Sequence, residues 1–114
     1  MPFDALTLPD TEASLLIERA MALIANPKRW GKGMHVGRRK HCMMEALVAA
    51  NGYRFAAPFG DAREALESAI AARTGYSDLA IHVWNDHPAT THADVLAVMR
   101  EAALLARVGP GAGE

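Results

Sequence analysis

Apolar residues recur at helical spacing in four segments of the chain, and this pattern constrains the fold more than any other feature. The spacing predicts helices over 12 to 25, over about ten residues from His41, over 62 to 74 and over 92 to 107. The first stripe comprises Ala13, Leu16, Ile17, Ala20, Leu23 and Ile24, and the last comprises Val95, Val98, Met99, Ala102, Leu105 and Ala106. Because such stripes must cover one another, the sequence predicts a compact all-α bundle of four amphipathic helices.

Signals at the helix ends set the boundaries of these predictions. Pro27 ends the first helix, because the residue before a proline avoids the helical conformation. Gly52 and Gly75 end the second and third helices, since glycine readily adopts the left-handed conformation that often follows a helix. Asp61 and Glu64 have the spacing of a capping box, which predicts that the third helix begins at 62.

Residues 79–84 fit two structures. Their alternating apolar residues suit a strand, whereas Ala80, Val83 and Trp84 suit one or two helical turns. A lone strand would leave its backbone unpaired, and residues 34–36 are the only plausible partner, so a short helix is the preferred interpretation. The predicted fold is therefore four amphipathic helices and one short helix. A glycine-rich basic loop joins the first two helices, and a small hairpin within it is an alternative.

The composition limits the chain to one globular domain. Its 114 residues are 51% hydrophobic and carry a net charge of −1, which excludes a disordered chain. No apolar run approaches the roughly 18 residues of a membrane span. We expect a single domain over 1–108, a flexible tail at 109–114 and no cofactor. A single cysteine excludes an intramolecular disulfide framework, so we expect a cytoplasmic protein.

The segment from Lys28 to Lys40 holds six of the twelve basic side chains and no acid. Its three glycines predict a mobile or tightly turned loop. The near-neutral net charge is thus the sum of a positively charged loop and a negatively charged remainder. The loop could bind an anionic partner. Within the loop, Trp30 could stack a nucleic-acid base or could instead anchor the loop in the core. The binding residues that the loop predicts are Lys28, Arg29, Trp30, Lys32, Arg38, Arg39 and Lys40.

Cys42 is the candidate nucleophile of a cysteine-dependent enzyme. Nearby cations and the start of the second helix could favour its thiolate form. Attack on an amide or thioester bond also needs a histidine base and a polar group that orients this base. His82 or His87 could be the base, with Asn85 or Asp86 orienting it. The alternative is that Cys42 is a small buried side chain on an apolar helix face.

Three histidines, His82, His87 and His92, follow one another at intervals of five residues. Three imidazoles and a carboxylate or thiolate would be enough to bind zinc. The spacing matches no known ligand pattern, and the histidines lie on opposite sides of a turn that contains proline. We therefore predict that the protein has no metal site. If it did bind a metal, His82, His87 and His92 would be the candidate ligands.

The segment that begins at Trp84 combines an aromatic residue, a polar turn, a proline and a helix cap. Asn85 and Asp86 can close a side-chain turn on the backbone. Pro88 fixes the path of the chain, and Thr91 can cap the last helix. These features predict a structural corner. The alternative is that Trp84, Asn85 and Asp86 line a ligand-binding pocket.

The same segment resembles the C-terminal signature of a small uncharacterised family found in bacteria and their phages. The residues that carry this resemblance are Trp84, Asn85, Asp86, Pro88 and Thr91. Arg29-Trp30 and the helix that opens at Cys42 are also similar to parts of the family pattern, so the resemblance covers most of residues 12–106. The chain departs from the pattern at Gly31, where many members have a second cysteine. The resemblance implies an α-rich fold and a cluster of Trp30, Cys42, Trp84, Asn85 and Asp86, and it implies no activity.

Our leading hypothesis for function is a small binding or interaction module. It would engage an anionic protein or nucleic acid through the basic loop at 28–40, because no complete catalytic motif is present and the positive charge is concentrated there. The alternative hypothesis is a cysteine-dependent enzyme that uses Cys42.

Overall fold

Five α-helices and one 3₁₀ turn form the fold in the computed structural model, which describes residues 8–33 and 39–108. The helices are α1 (Glu12–Leu23), α2 (Met43–Ala50), α3 (Phe59–Thr74), α4 (Ile81–Asp86) and α5 (His92–Val108), and the 3₁₀ turn is Pro27–Arg29. These described ranges contain no strand, so the predicted all-α fold with one short helix is confirmed. The predicted helix bounds differ from the observed ones by no more than three residues. The candidate binding residue Arg38 and the predicted tail at 109–114 lie outside the described residues.

The core lies where α5 packs against both α1 and α3, and α2 packs against α1. The predicted stripes are buried, with two exceptions. Leu23 and Leu105 are more than one third exposed, because each lies at the edge of its stripe, about 100° of helical rotation before a buried residue. No helix in the described part of the chain is long and apolar enough to cross a membrane. The largest fully buried side chains include Leu16, Ile17, Met43, Leu47, Leu66, Ile70, Ile81, Val95 and Met99.

Helix α3 begins at Phe59 and not at 62. Pro58 occupies the cap position, and no side chain caps the first amides of α3. Phe59 is buried, so its packing in the core fixes the start of the helix one turn earlier than the polar residues suggest. The predicted capping box of Asp61 and Glu64 is therefore wrong, because both residues lie within the helix and are exposed. The predicted end is confirmed, and Gly75 follows α3 with a φ of 82°.

The start of α5 is fixed by a reciprocal cap, as predicted for Thr91. The Asp94 amide donates to the Thr91 hydroxyl at 3.1 Å, and the Thr91 amide donates to the Asp94 carboxylate at 2.9 Å. Hydrogen bonds from the Thr91 amide and hydroxyl hold the pKa of Asp94 below its ordinary value. Arg73 donates to the same carboxylate at 2.8 Å, so this cap also ties the end of α3 to α5.

The chain returns beside itself between α1 and α2. The His41 amide donates to the Arg29 carbonyl at 2.8 Å, and the Gly31 amide donates to the His41 carbonyl at 3.2 Å. Trp30 and His41 thereby form an isolated parallel bridge. A hairpin would pair its strands antiparallel. The described ends of this connection therefore do not form the hairpin alternative, and residues 34–38 lie outside the described ranges.

Candidate functional site

Asn85 lies at the centre of the cluster that the sequence singles out. Its side chain is fully buried, and its Oδ1 accepts hydrogen bonds from the Trp30 indole Nε1 at 2.8 Å and from the Met43 amide at 3.0 Å. Its Nδ2 donates to the Gly31 carbonyl at 3.2 Å and to Asp86 Oδ1 at 2.9 Å. One side chain of α4 thus joins the start of α2 to the segment that follows the 3₁₀ turn.

Every hydrogen-bonding position of the Asn85 side-chain amide is occupied. Two donors share the oxygen, and both protons of Nδ2 have acceptors, so the side chain has no free position for a substrate. Met43 is the first residue of α2, and its amide has no partner within the helix, so Asn85 acts as a distant cap. The contacts favour the structural corner over the pocket interpretation of Asn85.

Asp86 and Lys32 close the outer side of this corner. Asp86 Oδ1 accepts from the Gly33 amide at 2.8 Å, in addition to its contact with Asn85. Lys32 Nζ donates to the His87 carbonyl at 2.7 Å and to the Pro88 carbonyl at 3.3 Å. The two charged side chains therefore hold the loop that leaves the 3₁₀ turn against the end of α4 and the residues that follow it.

The two tryptophans serve as anchors. Trp30 is half-buried, its indole N–H is taken by Asn85, and its ring centroid lies 5.7 Å from that of His92. Trp84 is buried in the core, and its carbonyl accepts a hydrogen bond from the Thr90 hydroxyl at 2.7 Å. The packing of Trp30 favours the core-anchor interpretation over base stacking, because the residue is half-buried against the core and its indole N–H is bonded to Asn85.

Cys42 is the residue that caps α2. Its Sγ accepts from the Glu45 amide at 3.4 Å, and the Glu45 carboxylate accepts from the Cys42 amide at 3.2 Å. The residue is only 2% exposed, and burial raises the pKa of its thiol above the ordinary value. A raised pKa is the opposite of what a nucleophilic thiol needs. His82 and His87 are both exposed and make no hydrogen bond to Cys42 in the described residues.

Native Cys42 is expected to react slowly with iodoacetamide near neutral pH. Burial and the raised pKa both lower the amount of accessible thiolate, so labelling should be at least about tenfold slower than in the unfolded chain. A time course of intact mass, with and without denaturant, measures both rates. A native rate above that of the unfolded chain would instead identify an activated thiol and restore the enzyme hypothesis.

The three histidines of the metal hypothesis do not converge. His82 and His87 are exposed, and the Nδ1 of His87 accepts from the Ala89 amide at 3.0 Å. His92 is half-buried, and its Nε2 lies 2.6 Å from the Ile24 carbonyl, at the end of α1. Across residues 8–33 and 39–108, no three His, Cys, Asp or Glu side chains lie close enough together to hold a metal ion.

The parallel bridge also gathers four exposed cations. Lys28 and Arg29 belong to the 3₁₀ turn, and Arg39 and Lys40 precede His41. Because the His41 amide bonds to the Arg29 carbonyl, Arg29 and Lys40 are neighbours across the bridge. These four residues, Lys28, Arg29, Arg39 and Lys40, are called the basic surface below. They are predicted binding residues that take no part in the corner around Asn85.

A second exposed surface was missed by sequence reasoning and lies between α2 and α3. Tyr53, Arg54 and Phe55 are exposed there, and the two aromatic side chains retain 69% and 72% of their accessible area. These three residues are called the aromatic loop below. In the sequence, Gly52 predicts only that the second helix ends here, and it does not account for the exposed side chains that follow. The signal that points to a surface is a pair of aromatic residues that flank an arginine outside any apolar stripe.

Comparison with known proteins identifies a family for this chain. No curated protein and no solved structure matches this chain. The family described as "Family of unknown function (DUF6197)" matches residues 8–105, a range that begins before α1 and reaches into α5. It therefore includes the corner, the basic surface and the aromatic loop. The chain belongs to this family of unknown function.

Proposed function

We propose that this protein is an interaction module that binds an anionic macromolecule through the basic surface. The observation that carries the proposal is the grouping of four exposed cations around one backbone bridge. Like charges held side by side repel one another, and an anionic partner removes this repulsion. If the partner carries phosphates, the release of its counterions adds to the binding free energy.

Among the contacts of residues 8–33 and 39–108, none uses the charges of the basic surface. Within the described residues, the ion pairs are Arg73–Asp94 and Asp10–Arg107, and neither includes a residue of the basic surface. The corner is held by Asn85, Asp86 and Lys32 instead. A partner could therefore contact the basic surface without breaking any of these bonds, and replacing its cations should leave the bundle folded.

The surroundings of Cys42 favour this binding role over the enzyme alternative. A buried thiol with a raised pKa that caps a helix has a structural purpose and lacks a contacting base. Because Cys42 is the single cysteine of the chain and is a free thiol, it also supports the proposal of a cytoplasmic location.

The test compares two double variants that change the net charge equally. R29A/K40A removes two cations of the basic surface, and R63A/R100A removes two exposed arginines from α3 and α5. Fluorescence anisotropy measures the affinity for two labelled probes, a single-stranded oligothymidylate and a polyglutamate peptide, at several salt concentrations. We expect R29A/K40A to weaken binding by about tenfold, and to reduce the salt slope for the oligonucleotide by about 1.4.

The control variant R63A/R100A should bind like the unmodified protein. Equal weakening by both double variants would show that only overall charge matters, and the proposal would be wrong. It would also be wrong if the unmodified protein bound neither probe at low salt. Circular dichroism spectra that coincide for all three proteins establish that a loss of binding does not arise from unfolding.

A further inference from the structure

The aromatic loop holds two large rings in solvent with a defined backbone. Asn51 Nδ2 donates to the Arg54 carbonyl at 2.7 Å and to the Ala56 carbonyl at 3.1 Å, which closes the loop across its base. The Phe55 ring meets the Phe59 ring edge to face, with centroids 5.2 Å apart. Because these contacts fix the loop, a partner that binds it does not have to order it first.

Tyr53 has a backbone conformation that is unfavourable for a tyrosine, so this residue does not stabilise the loop. Its φ is 61°, in the left-handed region that glycine and asparagine adopt at lower cost. The side chain remains 69% exposed, so burial does not offset this cost. A strained, exposed aromatic residue points to a role outside folding.

The aromatic loop and the basic surface lie in one stretch of sequence that is rich in bases. From residue 19 to residue 60 the chain carries a single acid, Glu45, whose carboxylate accepts from the Cys42 amide. The rest of the chain holds twelve of the thirteen acids and four of the twelve bases. The eight bases of this segment are Arg19, Lys28, Arg29, Lys32, Arg38, Arg39, Lys40 and Arg54. The aromatic loop therefore belongs to a stretch of sequence, residues 19–60, whose eight bases and single acid attract anions.

Helix α2 connects the two surfaces. Two residues separate the basic surface from the start of α2, and two residues separate the end of α2 from the aromatic loop. Eight residues of helix span about 12 Å, which equals the length of about four stacked nucleotides. A short single strand is thus long enough to contact cations at one end of α2 and aromatic rings at the other.

We infer that the aromatic loop stacks unpaired bases of a single-stranded nucleic acid whose phosphates contact the basic surface. This inference rests on the proposed function and names the class of the anionic partner. Tyr53 and Phe55 supply the stacking faces, and Arg54 between them contacts the phosphate backbone. Trp30 does not supply this stacking, because it is half-buried and its indole N–H is bonded to Asn85, whereas Phe55 is 72% exposed. Duplexes bind less well, because their base faces are covered by neighbouring base pairs.

The chain offers a matched control for the test. Tyr76, in the connection between α3 and α4, is as exposed as Tyr53 at 69%. The variants are Y53N/F55S, in which asparagine keeps the left-handed backbone, and Y76N. Anisotropy compares a labelled oligothymidylate of about twelve nucleotides with the same strand annealed to oligodeoxyadenylate. We expect Y53N/F55S to weaken single-strand binding about tenfold or more, with no change in the salt slope, and Y76N to leave it unchanged.

Other outcomes separate this inference from the proposed function. Unchanged single-strand binding by Y53N/F55S, with weakened binding by R29A/K40A, overturns the role of the aromatic loop and leaves the basic surface in place. The single-strand inference also fails if the duplex binds as tightly as the single strand, or if only polyglutamate binds. Thermal unfolding of Y53N/F55S provides the structural check. A melting temperature close to that of the unmodified protein is expected, because relief of the backbone strain at Tyr53 offsets the lost contact between Phe55 and Phe59.

Discussion

Replacement of Asn85 by alanine is expected to lower the free energy of unfolding by about 3 to 5 kcal/mol. The change leaves the Trp30 indole N–H and the Met43 amide without their acceptor, and both lie in or next to the core. It also removes the donor to the Gly31 carbonyl. Since small domains unfold at a cost of about 5 to 15 kcal/mol, this is a large share of the total. The midpoint of urea unfolding measures it, provided that the slope with denaturant is unchanged.

Two further variants show which contacts cause the decrease in the free energy of unfolding. His82→Ala changes an exposed side chain of the same short helix and is expected to cost less than about 0.5 kcal/mol. Trp30→Phe removes the indole donor together with part of the ring. Its effect combined with Asn85→Ala should be smaller than the sum of the separate effects, since both changes break the same bond. A loss below about 1 kcal/mol for Asn85→Ala would contradict the assignment of this side chain as the structural centre of the corner.

Replacement of Leu16 by alanine is expected to destabilise the protein by about 3 to 5 kcal/mol. Leu16 is fully buried on α1, the helix that packs against α2, α3 and α5, so its removal leaves a cavity that no single helix can close. The cost combines lost burial of the side chain with lost packing contacts around the cavity. Urea or thermal unfolding of the purified variant measures the change.

The neighbouring residue provides the control for this prediction. Leu15 is 41% exposed on the same helix, so Leu15→Ala removes the same atoms at a position that solvent already reaches. We expect it to cost less than about 1 kcal/mol. Similar losses for the two variants would mean that α1 does not present Leu16 to the core as described.

The helices could be predicted from the sequence because the apolar residues that stabilise them recur at helical spacing. Leu16, Ile17 and Ala20 recur at the spacing of one helix face, and burial of that face is what packing requires. The start of α3 could not be predicted in this way. The local polar signal at Asp61 competes with the burial of Phe59, and burial depends on neighbours that are distant in the sequence.

The residues of the corner could also be predicted, whereas their contacts could not. Trp84, Asn85 and Asp86 stand out as a polar turn with an aromatic anchor, but the bond from Trp30 to Asn85 joins residues 55 positions apart. No local pattern specifies such a pair. For Cys42, basic neighbours in the sequence suggested an activated thiol, yet burial outweighs them because it disfavours the thiolate directly.

The connection between the 3₁₀ turn and α2 is held by hydrogen bonds at both of its described ends. Gly33 is held to Asp86 on one side, and His41 is held to Arg29 and Gly31 on the other. The cost of closing a loop rises by only about 0.6 kcal/mol for each doubling of its length. The bonds at the two ends are made by described residues and do not depend on the length of chain between Gly33 and Arg39. Relatives of this chain could therefore differ in length there and keep both sets of bonds.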